Sequence, residues 1–246
     1  MLAFSGKTAL VTGGAKRIGR AIAVALAAEG ANVVIHYRGS ADEAEATAER
    51  VRELGAEAWT VPADLADPAD TAGLFDRATD AAGPIGLLVN NAAIFEPSTL
   101  TDFKPADLWR NMQVNALAPL ELARSFAARR RQGAIVNLLD TKVVDYDRQH
   151  VAYHLSKRAL LSLTRMMAVE FAPTVRVNAV APGLILPPSG KDRSYLDRLA
   201  SSNPLNKVGS LSQVTDTALF LLGNEFVTGQ VIFVDGGQHM NGRMYE

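Results

Sequence analysis

Seven short apolar runs alternate with longer amphipathic segments along the chain, and this alternation constrains the fold more than any other feature. The runs have the length of buried strands and span residues 8–11, 33–36, 58–61, 87–90, 134–139, 175–180 and 231–234. Parallel strands need long crossover connections, which helices between successive strands supply. The pattern therefore predicts an α/β fold with a seven-stranded parallel sheet and helices on both faces.

The predicted helices span residues 18–29, 41–54, 68–82, 106–128, 150–171 and 211–222. No internal repeat and no Pro/Gly/Ser-rich linker divides the chain, so residues 1–246 are predicted to form a single domain. The one break in the pattern is the segment 182–204, which is rich in proline, glycine and charge. Because ligands bind beyond the carboxyl ends of parallel strands, we expect a mobile substrate loop at about 183–208, with at most one helical turn.

Composition narrows the class of ligand. The chain has 25 basic and 26 acidic residues, a net charge of -1, so no overall field attracts it to nucleic acid or an anionic membrane. It has no cysteine and only four histidines, none at zinc-ligand spacing, so we expect no metal. Neither a signal peptide nor an apolar run of roughly 20 residues is present. These features favour a small-molecule ligand and the cytoplasm.

A glycine-containing turn follows the first strand run. Residues 12–19 read TGGAKRIG and lead directly into the first predicted helix. Such a turn lets the backbone approach a pyrophosphate at a helix N-terminus, where free N–H groups and the helix dipole favour anions. The cofactor-binding residues predicted here are Gly13, Lys16, Arg17, Ile18 and Gly19. The alternative is an ordinary tight turn between strand and helix.

Arg17 stands where a dinucleotide-binding turn usually has its middle glycine. A guanidinium at this position could lie beside the pyrophosphate and lean over the substrate, and its geometry suits planar or anionic groups. We therefore include Arg17 among the candidate substrate contacts. The alternative is a surface arginine without a role.

The end of the second strand run discriminates between the two nicotinamide dinucleotides. An NAD-selective protein normally has an acid here that binds the ribose diol, whereas this chain has His36, Tyr37, Arg38, Gly39 and Ser40. Arg38 and Ser40, together with the lysine of the turn, suit a 2′-phosphate. The sequence therefore predicts NADPH/NADP+ as cofactor, with His36 and Tyr37 as flanking contacts.

Tyr153 and Lys157 lie at the start of the predicted helix 150–171, and a spacing of four places them on one helix face. The ordinary pKa of tyrosine, about 10, is too high for efficient proton exchange at neutral pH, but a nearby ammonium favours the phenolate. We therefore expect Tyr153 to transfer a proton and Lys157 to lower its pKa. This spacing also occurs by chance on surface helices, so it gains weight only from the cofactor turn and the strand before it.

The chain resembles the short-chain dehydrogenase/reductase family over essentially its whole length. The resemblance is carried by the turn at 12–19, the sequence NNAA at 90–93, Asn115, the Tyr153 and Lys157 pair, the Pro-Gly at 182–183 and the sequence VDGG at 234–237. It implies a single-domain Rossmann fold, in which Asp64 and Leu65 border the adenine. It further implies cofactor contacts from Asn91, Ala92, Ala93, Pro182, Gly183, Leu184 and Ile185.

The same resemblance implies that Asn115 holds a water in a proton relay. It also implies a homotetramer or homodimer built on the helices 106–128 and 150–171. The family usually has a serine thirteen residues before the tyrosine, where it donates a hydrogen bond to a substrate carbonyl; this chain has Asp140 there. An ionised carboxylate only accepts hydrogen bonds and would repel the oxyanion of a reduced ketone, whereas an amino-substituted heterocycle could donate to it.

Arg17, Phe95 and Asp140 together resemble the pteridine reductase branch of the family, as does the sequence HYR at 36–38. In that branch a phenylalanine and the nicotinamide sandwich the pterin, while the arginine and aspartate contact its polar edge. The resemblance thus implies a substrate site formed by Arg17, Phe95, Asp140 and Tyr153. A loop-anchoring role for Phe95 is the alternative. Ala93 differs from the serine of trypanosomatid pteridine reductases, and residues 145–149 match no feature of the branch.

These features predict an NADPH-dependent reductase of a dihydropterin or dihydrofolate-type substrate. Its catalytic residues would be Asp140, Tyr153, Lys157 and Asn115, with Tyr153 or a bound water supplying the proton. One alternative is a carbonyl reductase acting on a 3-oxoacyl or sugar-type substrate. Another, from a different class, is a catalytically idle NADP(H)-binding sensor or scaffold, against which the intact Asn115, Tyr153 and Lys157 argue.

Overall fold

A seven-stranded parallel sheet forms the centre of the computed structural model, which describes residues 3–129, 132–188 and 190–243. The strand order is β3-β2-β1-β4-β5-β6-β7, and every pairing is parallel. The strands are β1 (Thr8–Val11), β2 (Asn32–Tyr37), β3 (Ala58–Pro62), β4 (Leu87–Asn90), β5 (Gly133–Leu138), β6 (Val175–Pro182) and β7 (Val231–Val234). The predicted α/β fold, with seven parallel strands, is confirmed.

Helices cover both faces of the sheet. They are α1 (Arg17–Ala28), α2 (Ala41–Glu53), α3 (Pro68–Ala82), α4 (Pro105–Met112), α5 (Ala118–Arg129), α6 (Val151–Glu170), α7 (Arg193–Leu199) and α8 (Leu211–Gly223). On one face α1, α2 and α8 bury an apolar cluster against β1, β2 and β5, and on the other α3, α5 and α6 bury a second. No helix within the described ranges is long and apolar enough to cross a membrane.

The predicted helix 106–128 is interrupted. Between α4 and α5 the backbone forms a π-helical turn, Gln113–Leu117, which contains the buried side chain of Asn115. Such one-turn bulges occur frequently at functional sites. The interruption is invisible to apolar periodicity because the residues on both sides of it keep a helical pattern.

The predicted substrate loop contains more structure than expected. Within it, α7 spans two turns and continues into a short 3₁₀ turn, Ala200–Ser202. The loop is attached to the fold on its inner side, where Ile185 is buried and Gly209 donates a backbone hydrogen bond to the Leu184 carbonyl over 2.9 Å. Ser189 lies outside the described residues.

The strand order reverses between β1 and β4, since β1 pairs with β2 on one side and with β4 on the other. In an open α/β sheet the connections diverge at such a point and leave a crevice beyond the carboxyl ends of the strands. The residues that follow β1, β2, β3 and β4 therefore meet in one place.

Candidate active site

A cavity of about 550 Å³ opens at this crevice. Its walls contain all the cofactor residues predicted from the first half of the chain: Gly13, Lys16, Arg17, Ile18, Gly19, His36, Tyr37, Arg38, Ser40, Asp64, Leu65, Asn91, Ala92 and Ala93. Tyr153, Lys157 and the segment 182–185 do not line this cavity. They follow β5 and β6, further along the same edge of the sheet.

The glycine turn after β1 is packed tightly against the end of β4. Gly13 has a φ of +60°, and a Cβ there would lie 3.0 Å from the Cα of Ala92. A Cβ on Gly19 would collide with the carbonyl oxygen of Gly13. The Asn91 amide donates to the carbonyls of Thr12 and Gly13 over 2.9 and 3.1 Å. Both glycines are thus required by backbone conformation or close approach.

The first turn of α1 presents free donors to the cavity. Its first intrahelical hydrogen bond runs from the N–H of Arg20 to the carbonyl of Lys16 over 3.1 Å. The preceding N–H groups, of Arg17, Ile18 and Gly19, therefore have no acceptor within the helix. Together with the helix dipole, these N–H groups suit an anion. Lys16, beside them, pairs with Glu43 of α2 at 2.5 Å, while Arg38 is exposed at the rim.

Arg17 connects the cofactor turn to the substrate loop. Its backbone has a φ of +54°, the left-handed conformation in which glycine is normally found. Its Nη2 donates to the carbonyl of Pro187 over 2.8 Å, although the two residues are 170 positions apart. The guanidinium thus bridges the cofactor turn and the substrate loop, and its predicted contacts with pyrophosphate and substrate stay predictions.

His36 was predicted to be a flanking cofactor contact, but both of its ring nitrogens have partners inside the protein. Nδ1 accepts a hydrogen bond from the Gly13 N–H, and Nε2 lies 3.1 Å from the carbonyl of Ala63. The side chain is buried, and burial lowers its pKa below the ordinary value of 6.5. The half-buried Tyr37 beside it remains at the cavity wall.

Tyr153, Asp140 and Lys157 meet at the ends of β5 and α6. The Tyr153 hydroxyl donates to Oδ2 of Asp140 over 3.2 Å, and Oδ1 of Asp140 accepts from the backbone N–H of Lys142 over 2.8 Å. The Lys157 ammonium donates to the carbonyl of Leu138 over 2.6 Å and lies 5.7 Å from the centre of the Tyr153 ring. The carboxylate that replaces the family's serine is therefore a direct partner of the tyrosine.

Burial dominates the electrostatics of Tyr153 and Lys157. Burial raises the pKa of Tyr153 well above 10, and the carboxylates of Asp140 and Asp147 raise it further. Lys157 is itself buried, which lowers its pKa to about 8. Desolvation and two negative charges thus oppose the phenolate in this arrangement, and the effect of Lys157 on the Tyr153 pKa stays a prediction. At neutral pH Tyr153 carries its proton.

Asn115 fixes the loop after β4. Its Oδ1 accepts from the Ile94 N–H over 2.9 Å, and its Nδ2 donates to the Ile94 carbonyl over 3.1 Å. Nδ2 also reaches Ser156 Oγ, at 3.0 Å, and Ser156 donates to the Tyr153 carbonyl over 2.6 Å. Asn115 thus connects the loop that carries Phe95 to the helix that carries Tyr153.

Phe95 lies in an aromatic group beside the tyrosine. Its ring contacts Tyr153 edge-on, with 4.7 Å between centroids, and stacks on His150 at 3.9 Å and an angle of 19°. Phe95 is 48% exposed, which a residue that only anchors a loop would not need to be. The aromatic surface beside Tyr153 is therefore open to a ligand.

The segment 145–149, which the sequence left unassigned, supports this aromatic group through Asp147. The Asp147 carboxylate is buried, pairs with Lys142 at 2.9 Å and accepts backbone hydrogen bonds from Gln149 and His150. It also lies 3.3 Å from Nδ1 of His150. These contacts lower the pKa of Asp147 to about 2 against the opposing effect of burial. Sequence reasoning missed Asp147 and His150, because no motif connects this segment to Phe95.

The segment 182–185 passes from the end of β6 into the substrate loop. Gly183 donates to the Val234 carbonyl over 3.0 Å, and a Cβ on it would lie 2.7 Å from the Cβ of Asp235. The Asp235 carboxylate in turn binds the Thr141 hydroxyl, next to Asp140. The VDGG sequence at 234–237 thus packs against the start of the substrate loop and against the segment that carries Asp140.

Comparison with known proteins identifies the family. The family model described as Enoyl-(Acyl carrier protein) reductase matches residues 13–239. The chain is 34% identical over 250 residues to a short-chain type dehydrogenase/reductase of Picea abies, covering 95% of this chain and 92% of that protein. The chain therefore belongs to the short-chain dehydrogenase/reductase family, as its motifs predicted.

Two further relatives bear on the substrate. The crystal structure of FolM Alternative dihydrofolate reductase 1 from Brucella canis, complexed with NADP, has a TM-score of 0.89 and 40% identity, and the match covers 98% of this chain and 96% of that one. The 3-oxoacyl-[acyl-carrier-protein] reductase FabG of Staphylococcus epidermidis is 32% identical over 242 residues, which is 95% of this chain and 99% of that protein. The chain is thus similar over nearly its full length to proteins named for different substrates.

Proposed function

We propose that this protein is an NADPH-dependent reductase of a dihydropterin or dihydrofolate-type substrate. The observation that carries the proposal is the contact between Asp140 and the Tyr153 hydroxyl, 3.2 Å long, at the position where a ketone reductase needs a neutral donor. A fixed carboxylate disfavours the oxyanion formed from a ketone and favours a substrate with N–H donors. The 40% identical relative is named as a dihydrofolate reductase.

The residues of the cavity fit NADP(H). Free N–H groups at the start of α1 suit a pyrophosphate, and the glycines at 13 and 19 leave a cradle that a Cβ would fill. Arg38 follows β2, where NAD-selective proteins have an acid, and Lys16 of the turn after β1 lines the same cavity, so both can bind a 2′-phosphate. Binding there would require Lys16 to exchange Glu43 for the phosphate. When bound, NADPH supplies the hydride for reduction of a C=N bond.

The protein's own side chains handle the proton and the orientation of the substrate. Tyr153 holds a proton at neutral pH and releases it to the substrate nitrogen directly or through a bound water. Asp140 holds the Tyr153 hydroxyl and accepts hydrogen bonds from the amino-substituted edge of the heterocycle. Phe95 provides an open aromatic face for a flat ring. Lys157, bound to the Leu138 carbonyl, supports the end of β5 and places a cation beneath Tyr153.

A carbonyl reductase is the second candidate, favoured by the 32% identity to a 3-oxoacyl reductase over nearly the whole chain. It would need another donor in place of the family's serine. The adjacent Thr141 hydroxyl is already bound to the buried carboxylate of Asp235. The contacts around Tyr153 therefore favour a pterin over a carbonyl substrate.

The decisive experiment follows NADPH oxidation by absorbance with dihydropterin, dihydrofolate, a 3-oxoacyl thioester and a small diketone. We expect turnover with the pterin or folate substrate. Asp140→Ser should lower that turnover by about 10-fold or more, since it removes the accepting charge, while any diketone activity holds or rises. Phe95→Ala should raise the pterin KM about 5-fold with little effect on NADPH. A parent enzyme that reduces the ketones and not the pterins would establish the second candidate.

We also propose that the protein assembles as a homotetramer or homodimer through α4 to α6. Several large apolar side chains are exposed on these helices and on the π-helical turn: Trp109, Leu117, Leu155, Met166 and Val169. Val169 is the most exposed of these five side chains, at 80%. Exposed apolar side chains on these neighbouring helices support an interface there. Analytical ultracentrifugation should show an assembly that Val169→Glu weakens, and a monomeric parent would exclude it.

A further inference from the structure

His36 is the point where three parts of the cofactor cavity meet. It lies near the end of β2, with its side chain 2% exposed. Its ring Nδ1 accepts from the N–H of Gly13 over 3.1 Å, and its backbone carbonyl accepts from the N–H of Gly14 over 3.0 Å. Its Nε2 lies 3.1 Å from the carbonyl of Ala63, directly before Asp64. One residue thus binds both the glycine turn and the segment that is predicted to border the adenine.

The two hydrogen bonds of the imidazole ring determine which of its nitrogens carries the proton. A backbone N–H can only donate, so the Nδ1 that faces Gly13 must lack a proton. A backbone carbonyl can only accept, so the Nε2 that faces Ala63 must carry one. The neutral imidazole protonated at Nε2 satisfies both partners. A doubly protonated ring would place an N–H against the N–H of Gly13 in a buried site, which is costly.

We propose that His36 is a positioning residue for NADP(H): as the neutral Nε2–H tautomer, it holds the Gly13 turn and the Ala63 wall at the spacing the dinucleotide requires. The inference rests on the proposed cofactor site but adds a residue that need not touch the cofactor. It also explains why the N–H groups of Gly13 and Gly14 are directed to β2. The phosphate is then left to the free N–H groups at the start of α1.

Burial and the charges around His36 determine how cofactor affinity should depend on pH. Burial lowers its pKa from 6.5, and Arg77 on α3 acts in the same direction, while the Ala63 bond and the carboxylates of Asp70 and Asp64 oppose it. A lowered pKa means that the neutral form persists at neutral pH and that protonation begins below 6.5. Cofactor affinity that depends on the neutral ring is therefore complete above pH 6.5 and declines as the pH falls through the lowered value.

The test measures the Kd of NADP+, which tolerates acid, by calorimetry between about pH 5 and about pH 8. His36→Val removes both ring bonds and should weaken binding at pH 8 by about 10-fold. His36→Asn keeps a short acceptor for Gly13 but cannot titrate, so it should bind more tightly than His36→Val. Thr47→Val is the matched control, since the Thr47 hydroxyl donates to the Ala15 carbonyl of the same turn over 3.0 Å and does not titrate.

The parent and Thr47→Val should lose affinity more steeply than either His36 variant as the pH falls through the lowered His36 pKa, because only these two proteins keep a ring that can be protonated. Titration of the 2′-phosphate is common to all four proteins and does not contribute to this difference. At saturating NADPH, kcat should remain within about 2-fold of the parent in His36→Asn. Equal affinity in His36→Val and the parent, or the same pH profile in the parent and both His36 variants, would overturn the inference. A parent that binds no NADP+ would instead refute the cofactor assignment. Circular dichroism and thermal melting confirm that each variant is folded.

Discussion

The cofactor end and the substrate end of the crevice are built in different ways. At the cofactor end, side chains such as Thr12, His36 and Asn91 bind backbone groups and so shape the main chain of the turn. At the substrate end, similar bonds to the backbone are joined by contacts between two side chains, as between Tyr153 and Asp140 or between Phe95 and His150. The first end depends on backbone shape, and the second depends on residue identity.

This difference has a chemical consequence. A dinucleotide offers the same pyrophosphate and ribose to every member of the family, so a cradle of backbone N–H groups suits it. Substrates vary, and a carboxylate exchanged for a hydroxyl at position 140 changes what can be bound beside an unaltered Tyr153. We therefore expect substitutions at the two ends to affect different measurements.

The largest expected effect is at Tyr153. Tyr153→Phe keeps the ring against Phe95 but removes the proton that the hydroxyl carries, so kcat should fall about 100-fold or more. The Kd of NADPH should remain within about 2-fold, since Tyr153 does not line the cofactor cavity. Single-turnover kinetics and fluorescence titration provide the two values. Near-normal turnover would show that another group donates the proton.

The next largest effect is on cofactor preference and should arise only from substitutions at the cofactor end. Arg38→Asp replaces the exposed cation at the end of β2 with the acid typical of NAD-selective proteins, and it should lower the preference for NADPH over NADH by roughly 10-fold or more. The ratio of kcat/KM for the two cofactors measures it. Arg50→Asp makes the same charge change on α2 outside the cavity, where its partner is the exposed Glu53, and should leave the ratio unchanged. Equal use of both cofactors by the parent would contradict the NADPH assignment.

The smallest expected effect is on stability, at Asp147, which supports the aromatic group of Phe95, His150 and Tyr153. Asp147→Asn keeps an acceptor for the backbone N–H of His150 but loses the charge that pairs with Lys142, so the free energy of unfolding should fall by about 1 kcal/mol at neutral pH. The pKa of Asp147 is lowered from 3.8 to about 2, so its stabilisation is complete above pH 3.8 and is lost as the pH falls through about 2. The difference between the two proteins should therefore shrink in acid.

Urea denaturation at several pH values measures this difference. Asp145→Asn is the matched control, because Asp145 is exposed two residues away, and its effect should be within about 0.5 kcal/mol. A loss in Asp147→Asn that persists unchanged in acid would show that the charge is not the cause.

The sequence alone determined the sheet, its parallel strands and most of the cofactor cavity. Apolar periodicity predicts buried strands and amphipathic helices directly, and β1, α3 and β4 follow their predicted bounds. The glycines at 13 and 19 reflect local backbone requirements, which neighbouring residues in the chain reveal. The tyrosine and lysine were predicted from a spacing that places both on one helix face, together with the cofactor turn and the strand before them.

Only the tertiary structure decided how those side chains are paired and charged. The π-helical turn at Asn115, the bridge from Arg17 to Pro187 and the stacking of His150 on Phe95 join residues from distant segments. The pKa of Tyr153 depends on burial and on two carboxylates, neither of which its spacing from Lys157 reveals. Periodicity and motifs describe neighbours along the chain, whereas desolvation and contact geometry depend on what the fold brings together.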